Sequence, residues 1–158
     1  MYQPAHFERR DDASLQALLR ERPLASLVAL LPHGMEANLV PLAFDPTAGS
    51  HGCLRGHLAR ANPLARELAA AAGGGVAALA LFHGPQCYIS PGWYASKREH
   101  GKVVPTWNYV VVEARGRLRG IDDRDWLLAL LARLKAEHEQ AQPLPWHISD
   151  APADYIEP

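Results

Sequence analysis

Cysteine is scarce in this chain, with only Cys53 and Cys87 among 158 residues. Two thiols build no disulfide framework, and a reducing cytoplasm is the compartment that such usage fits. Long apolar runs are missing too. Nothing approaches the roughly 20 residues of a membrane span, and the opening "MYQPAHFERRDD" has no apolar signal-peptide core after its charges. The chain therefore reads as cytoplasmic, with no membrane partner. Nor does either sign of charge dominate: 16 Lys and Arg face 17 Asp and Glu, a net charge of −1. A nucleic-acid binder usually carries a basic excess or stripe. The nearest approach is "ARGRLRG", whose Arg115, Arg117 and Arg119 share one face of an extended strand. A solvated strand edge explains them equally well, and no tandem helix pair of the helix-turn-helix kind is present. Direct DNA binding by this chain is thus not expected.

Metal and nucleophile signatures are absent as well. His51, Cys53 and His57 alternate along one extended segment, but residues two apart on a strand lie roughly 6–7 Å apart. That is too far to share one ion without a bulge. With no HExxH or CxxC beside them, no metal site is expected. Neither cysteine sits at a helix start or in an obvious cationic setting, and no acid–base pair marks a substrate. Catalytic residues remain unassigned.

What is present is ordinary globular stock, 48% hydrophobic and of a length that suits one domain over residues 1–158. Asp11 or Asp12 can cap a first helix ending near Arg22, before Pro23. Strands follow at 24–31 and 36–44, with a turn at 32–34 and with Pro41 suited to an edge or a bulge. A third strand, 51–58, alternates Gly52, Leu54, Gly56 and Leu58 with His51, Cys53, Arg55 and His57. Asn62 can cap a helix over 64–72 with Pro63 at its first position, and "GGG" stops it. A buried strand at 76–82 precedes an "HGP" break and a short strand at 87–90. Residues 91–106 read as a long loop, 107–121 as the longest strand, and 123–139 as a last helix. Asp122 with Asp125 resembles a capping box for that helix. Six strands with interleaved helices predict an α+β fold with a largely antiparallel sheet or small barrel.

Two stretches carry chemistry. "HLARANP" places His57, Arg60 and Asn62 where a strand hands over to a helix. Helix starts attract anions, and the planar arginine fork suits phosphate. A capped helix with a solvated arginine is the plain alternative. "YISPGWY" and "VPTWNY" set three tyrosines and two tryptophans beside Ser90, Thr106 and Asn108. A planar heteroaromatic ligand needs such flat apolar surfaces with a few fixed polar groups. Core filling and cover for a sheet edge account for the same aromatics.

"MYQPAHF", "GHLARANP", "FHGPQCYISPGWY" and "VPTWNY", in this order along nearly the whole chain, resemble the PaiB family, labelled as FMN-binding transcriptional regulators within the wider FMN-binding split-barrel group. The resemblance implies a six-stranded, mostly antiparallel split β-barrel with flanking helices, a homodimer, and FMN held at the subunit interface. It implies that Arg60 and Asn62, with neighbouring main chain, help hold the FMN phosphate, with His57 close by. Ser90, Trp93, Tyr94, Thr106, Trp107 and Asn108 would line the flavin or the dimer seam. The function implied is negative transcriptional regulation or flavin-dependent sensing; the rival is a flavin-dependent oxidoreductase using a nicotinamide or small-molecule donor. Family members run on past "YIEP" into a further strand and a polar motif, so the C-terminal strand is expected to be missing here. Arg55 stands where a small polar residue is expected, and it either adds a second phosphate contact or blocks one.

Overall fold

A computed structural model describes residues 1–71 and 73–152; the "YIEP" segment lies outside the described residues. Asp11 opens α1 (Asp12–Glu21), its carboxylate accepting from the Ser14 N–H at 2.8 Å, and α1 buries Leu19. The run "LASLVALL" becomes β1 (Leu24–Leu31), and β2 (Gly34–Pro41) returns beside it in antiparallel register from Leu24 opposite Pro41 to Leu31 opposite Gly34. Only one face of β1 is buried. Ala25, Leu27, Ala29 and Leu31 point into the core, whereas Leu24 and Leu30 face outward, as the two-residue period of a strand requires.

The expected second strand, 36–44, breaks in two after Pro41. Its last part is β3 (Ala43–Asp45), which pairs with β4 (Cys53–Arg55) in a separate two-stranded sheet. The expected strand at 51–58 contracts to those three residues for a local reason. Gly52 has φ +77°, off the strand region, and a Cβ there would collide with the Phe44 ring. At Gly56 a Cβ would come within 2.8 Å of the Pro41 carbonyl oxygen, so the backbone passes too close for any side chain. His57 consequently sits in the connection to α2 (Pro63–Ala70) rather than on a strand.

The two strands expected around "HGP" are one long strand, β5 (Val76–Ile89). Its pairing with β6 (Thr106–Leu118) shifts register between His83 and Gln86. Pro85 occupies that bulge, where its missing N–H removes no ladder bond. The order of the four-stranded sheet is β2-β1-β5-β6, which leaves β2 at an edge and Pro41 tolerated there. The loop 91–106 contains a 3-10 turn at Pro91–Trp93 and a one-turn helix, α3 (Ser96–Glu99). The chain then reaches α4 (Arg124–Glu139).

The core is built on the inner face of β1, β2 and β5, with Leu19 of α1 and Leu64 and Leu68 of α2 packed over it. Phe82 and Leu64 are completely buried, with Leu27, Val40, Leu42 and Leu68 around them and Phe44, Leu54 and Leu58 of the smaller sheet's side packed against the cluster. The fold is therefore α+β and antiparallel, with six strands among the described residues divided four and two. No helix among the described residues is long and apolar enough to cross a membrane.

Candidate functional site

The cationic half begins at the α2 cap. Asn62 Oδ1 accepts from the Leu64 N–H at 2.9 Å, while its Nδ2 donates to Asn38 Oδ1 at 2.8 Å; Asn38 Nδ2 in turn donates to Glu36 Oε1 at 3.1 Å. The Ala65 N–H is also taken, by the Asn62 carbonyl at 3.0 Å, and Pro63 has none to give. The first N–H groups of α2 are thus already paired, and Asn62 serves chiefly as a cap and a tie to β2. Arg60 is different. Its guanidinium reaches Asp122 Oδ1 from Nη2 at 2.8 Å and Oδ2 from Nη1 at 3.4 Å, with both side chains largely exposed. Arg60 and His57 line a cavity of about 740 Å³. Its far wall is apolar, with Leu127, Leu128, Leu131 and Leu134 of α4 alongside Ile121 and Trp146.

The sequence reading missed two parts of this arrangement. Asp123, not Asp122, caps α4, accepting from the Trp126 N–H at 2.9 Å. One carboxylate suffices at a helix start, so the other is available to Arg60. The adjacent pair "DD" ahead of a helix was the available signal. Asn38 carried no signal, because its partnership with Asn62 spans 24 residues of chain.

The aromatic half occupies the other end of the β5–β6 ladder. Tyr88 lies opposite Trp107, Cys87 opposite Asn108 and Ile89 opposite Thr106. The Tyr88 and Trp107 rings meet edge to face with centroids 6.3 Å apart, a favourable arrangement of ring quadrupoles. Ser90 Oγ accepts from the Gly92 N–H at 3.2 Å and fixes the turn that carries Trp93. Thr106 Oγ1 makes one long contact, 3.5 Å, to the Trp107 carbonyl. Trp93, Tyr94, Trp107 and Tyr109 are all exposed. β1 pairs with β5 only between Ala78 and Phe82, so this end of the hairpin projects as an arm beyond the rest of the sheet.

None of Ser90, Trp93, Tyr94, Thr106, Trp107 or Asn108 reaches the cavity that His57 and Arg60 line. The reason is topological. Asp122 follows the C-terminal end of β6 and Trp107 stands at its start, and the 13 residues of that strand have a contour of about 40 Å. Each half nevertheless fits its share of a flavin nucleotide. A phosphate can replace the weak exposed partner of Arg60, and the arm offers flat apolar faces beside hydroxyl and amide groups.

An exposed arginine and a group of exposed aromatics thus stand at opposite ends of β6 on an antiparallel α+β frame. The comparisons identify the family. Residues 1–158 match a family model described as "Putative FMN-binding domain"; the chain belongs to this family, and FMN is the cofactor that membership assigns to it. An uncharacterized protein of Saccharomyces cerevisiae is 30% identical over 90% of this chain and 93% of its own length. One from Aspergillus fumigatus is 33% identical over 90% of this chain and 70% of its own. The chain is also similar to "Protease synthase and sporulation protein PAI 2" of Bacillus subtilis, 29% identical over 92% of this chain and 66% of that protein.

Proposed function

We propose that the chain acts as an FMN-binding split-barrel homodimer of the PaiB type, a transcriptional regulator or flavin-dependent sensor. The phosphate sits at Arg60 and His57 of one subunit, near the Asn62 cap. The ring system rests on Trp107, Trp93 and Tyr94 of the other, with Ser90, Thr106 and Asn108 at its polar edge. One observation carries this reading: the two half-sites stand at opposite ends of β6, so a single chain offers FMN only half a site at a time.

The sheet supports the same conclusion. Leu24 and Leu30 of β1, with Met35 and Leu39 of β2, lie on the face turned away from the core, Leu30 opposite Met35, and all four are more than half exposed. Alternation along β6 brings Trp107, Tyr109 and Val111 onto that same face. Glu113, Arg115 and Arg117 occupy the same face of β6 beyond the arm, so the exposed apolar side chains form two clusters, one on β1 and β2 and one on the arm. A second copy, meeting the first through this face, covers both patch and arm.

Bound FMN supplies the redox chemistry; the chain's own residues hold its phosphate, flank its rings and exclude water. The regulatory reading draws on the similarity to the sporulation protein of Bacillus subtilis. Titrating the protein with FMN while following sedimentation tests the shared site. FMN uptake should rise with dimer, and full uptake by a monomer overturns it.

A further inference from the structure

α4 carries more leucine than the core takes. Leu130 is its one buried side chain, yet Leu127, Leu128, Leu131 and Leu134 line the cavity at Arg60 from another side of the helix. Leu127 is 37% exposed there. Apolar surface left in water is unfavourable in proportion to its area, so this row lacks a cover. The surface is a hollow rather than a flat face. Separate stretches of chain surround it: Pro41 at the β2 edge, the connection from His57 to Arg60, the approach to α4 at Ile121, α4 itself, and Trp146 with Ala151. The last stretch is held against α4 by the Trp146 N–H, which donates to Glu139 Oε2 at 2.9 Å, and by His147 Nδ1, 3.1 Å from Lys135 Nζ.

Size and charge narrow the occupant. The volume of about 740 Å³ falls within the roughly 300–1,000 Å³ of small-molecule sites, whereas protein partners spread over broad patches. Among the described residues the rim's charges balance, with Arg60, Arg124 and Lys135 against Asp122, Asp123 and Glu139. Each of these carboxylates is engaged: Asp122 by Arg60, Asp123 by the Trp126 N–H at 2.9 Å, and Glu139 by the Trp146 N–H. Arg55 does not reach this cavity, so it neither adds to nor blocks the phosphate seat. A charged ligand would find no net opposite charge, and burying it against leucine would be costly. A neutral one meets no such penalty.

We propose that the hollow holds a second ligand beside the flavin, a neutral small molecule with an apolar body and one hydrogen-bonding end. The body covers the leucine row and the Trp146 ring. The polar end meets His57 or His138 at the rim, imidazoles that in neutral form offer one donor and one acceptor each. This assignment rests on the reading above in one respect. With its phosphate at Arg60 and its rings on the partner's arm, FMN leaves the leucine hollow open next to the cofactor.

The test is a 1-octanol titration of the protein with and without saturating FMN. Nuclear magnetic resonance follows the Leu127 and Leu131 methyls and the Trp146 indole N–H. Saturable shifts are expected in both states. Octanoate and octylammonium, charged homologues of the same length, should bind about tenfold more weakly or worse. Leu127→Gln alters a position already in contact with solvent, so the protein should fold, and octanol should bind it about fivefold more weakly. Octanol shifts that FMN abolishes would put the flavin rings in the hollow and overturn this proposal together with the shared site. Silence toward octanol, equal binding of a charged homologue, or wild-type affinity in folded Leu127→Gln would overturn this proposal alone and leave the shared site standing.

Discussion

Asp122 occupies the arginine fork that an incoming phosphate would need, its Oδ1 2.8 Å from Arg60 Nη2. Both groups are exposed, and such pairs contribute at most about 1 kcal/mol. A charge-assisted hydrogen bond to a bound phosphate is worth roughly 1.5–3 kcal/mol, so the phosphate contact proposed for Arg60 would outweigh this pair. Arg60→Ala should then weaken FMN binding about tenfold or more while leaving riboflavin nearly unaffected. Asp122→Asn removes the competitor and should tighten FMN by up to about fivefold. Fluorescence titration with both flavins checks this. Equal losses for FMN and riboflavin would place Arg60 away from the phosphate.

The same residues show what could be read from sequence. Local chemistry was legible: Asn62 caps α2 and Pro63 opens it, as the "NP" pair indicated, and Asp11 caps α1. The helices at 124–139 and 12–21 followed from leucine spacing. Long-range partnerships were not legible, because nothing near Arg60 in sequence announces Asp122, 62 residues away. The turn-type residues of "HGP" misled. A bulge retains the strand where a proline suggests a break, since the N–H that Pro85 lacks falls at an unpaired position. Candidate residues for both half-sites were named from motifs, but motif order along the chain concealed that they stand at opposite ends of one strand.

Asp45 provides a pH handle. The Thr47 hydroxyl above all, then the Thr47 N–H, with Arg55 and Arg133 adding attraction, holds its carboxyl below the ordinary aspartate range. A depressed folded pKa contributes stability that is fully present above the unfolded value, near pH 4. It is lost as pH falls through the folded value. Thr47→Val should therefore be less stable than wild type at pH 6, and the difference should shrink below about pH 4. Urea denaturation at the two pH values measures it; a constant difference would refute the coupling.

The arginine strand is occupied rather than free. Arg117 donates to the Gly74 carbonyl from Nη2 at 2.7 Å and to the Gly75 carbonyl at 2.6 Å, while Arg115 Nε meets Glu113 Oε1 at 2.6 Å. Released cations drive the salt-dependent part of DNA affinity, and these two are committed to their own chain. Mobility-shift assays at physiological salt should show no tight operator binding by this chain alone. Nanomolar binding would contradict this and make Arg119 and its neighbours the contact.

Assembly and cofactor should stabilise each other if the aromatic arm of one subunit covers the flavin of its partner. Linkage requires the effect to run both ways: FMN shifts the protein toward dimer, and dimer raises FMN affinity. Two substitutions separate the contributions. Trp107→Ala removes a large exposed aromatic from the arm, of the kind that often dominates an interface, and should weaken both self-association and FMN binding. Leu39→Glu changes only the outer sheet face, where the side chain is 71% exposed, so the fold of the monomer should survive. It places a charge in the seam, about as unfavourable as any single change there. That protein should sediment as monomer and lose FMN affinity although no residue of either half-site has changed. Sedimentation velocity with and without FMN decides, and a monomeric Leu39→Glu protein with full FMN affinity would show that one chain suffices.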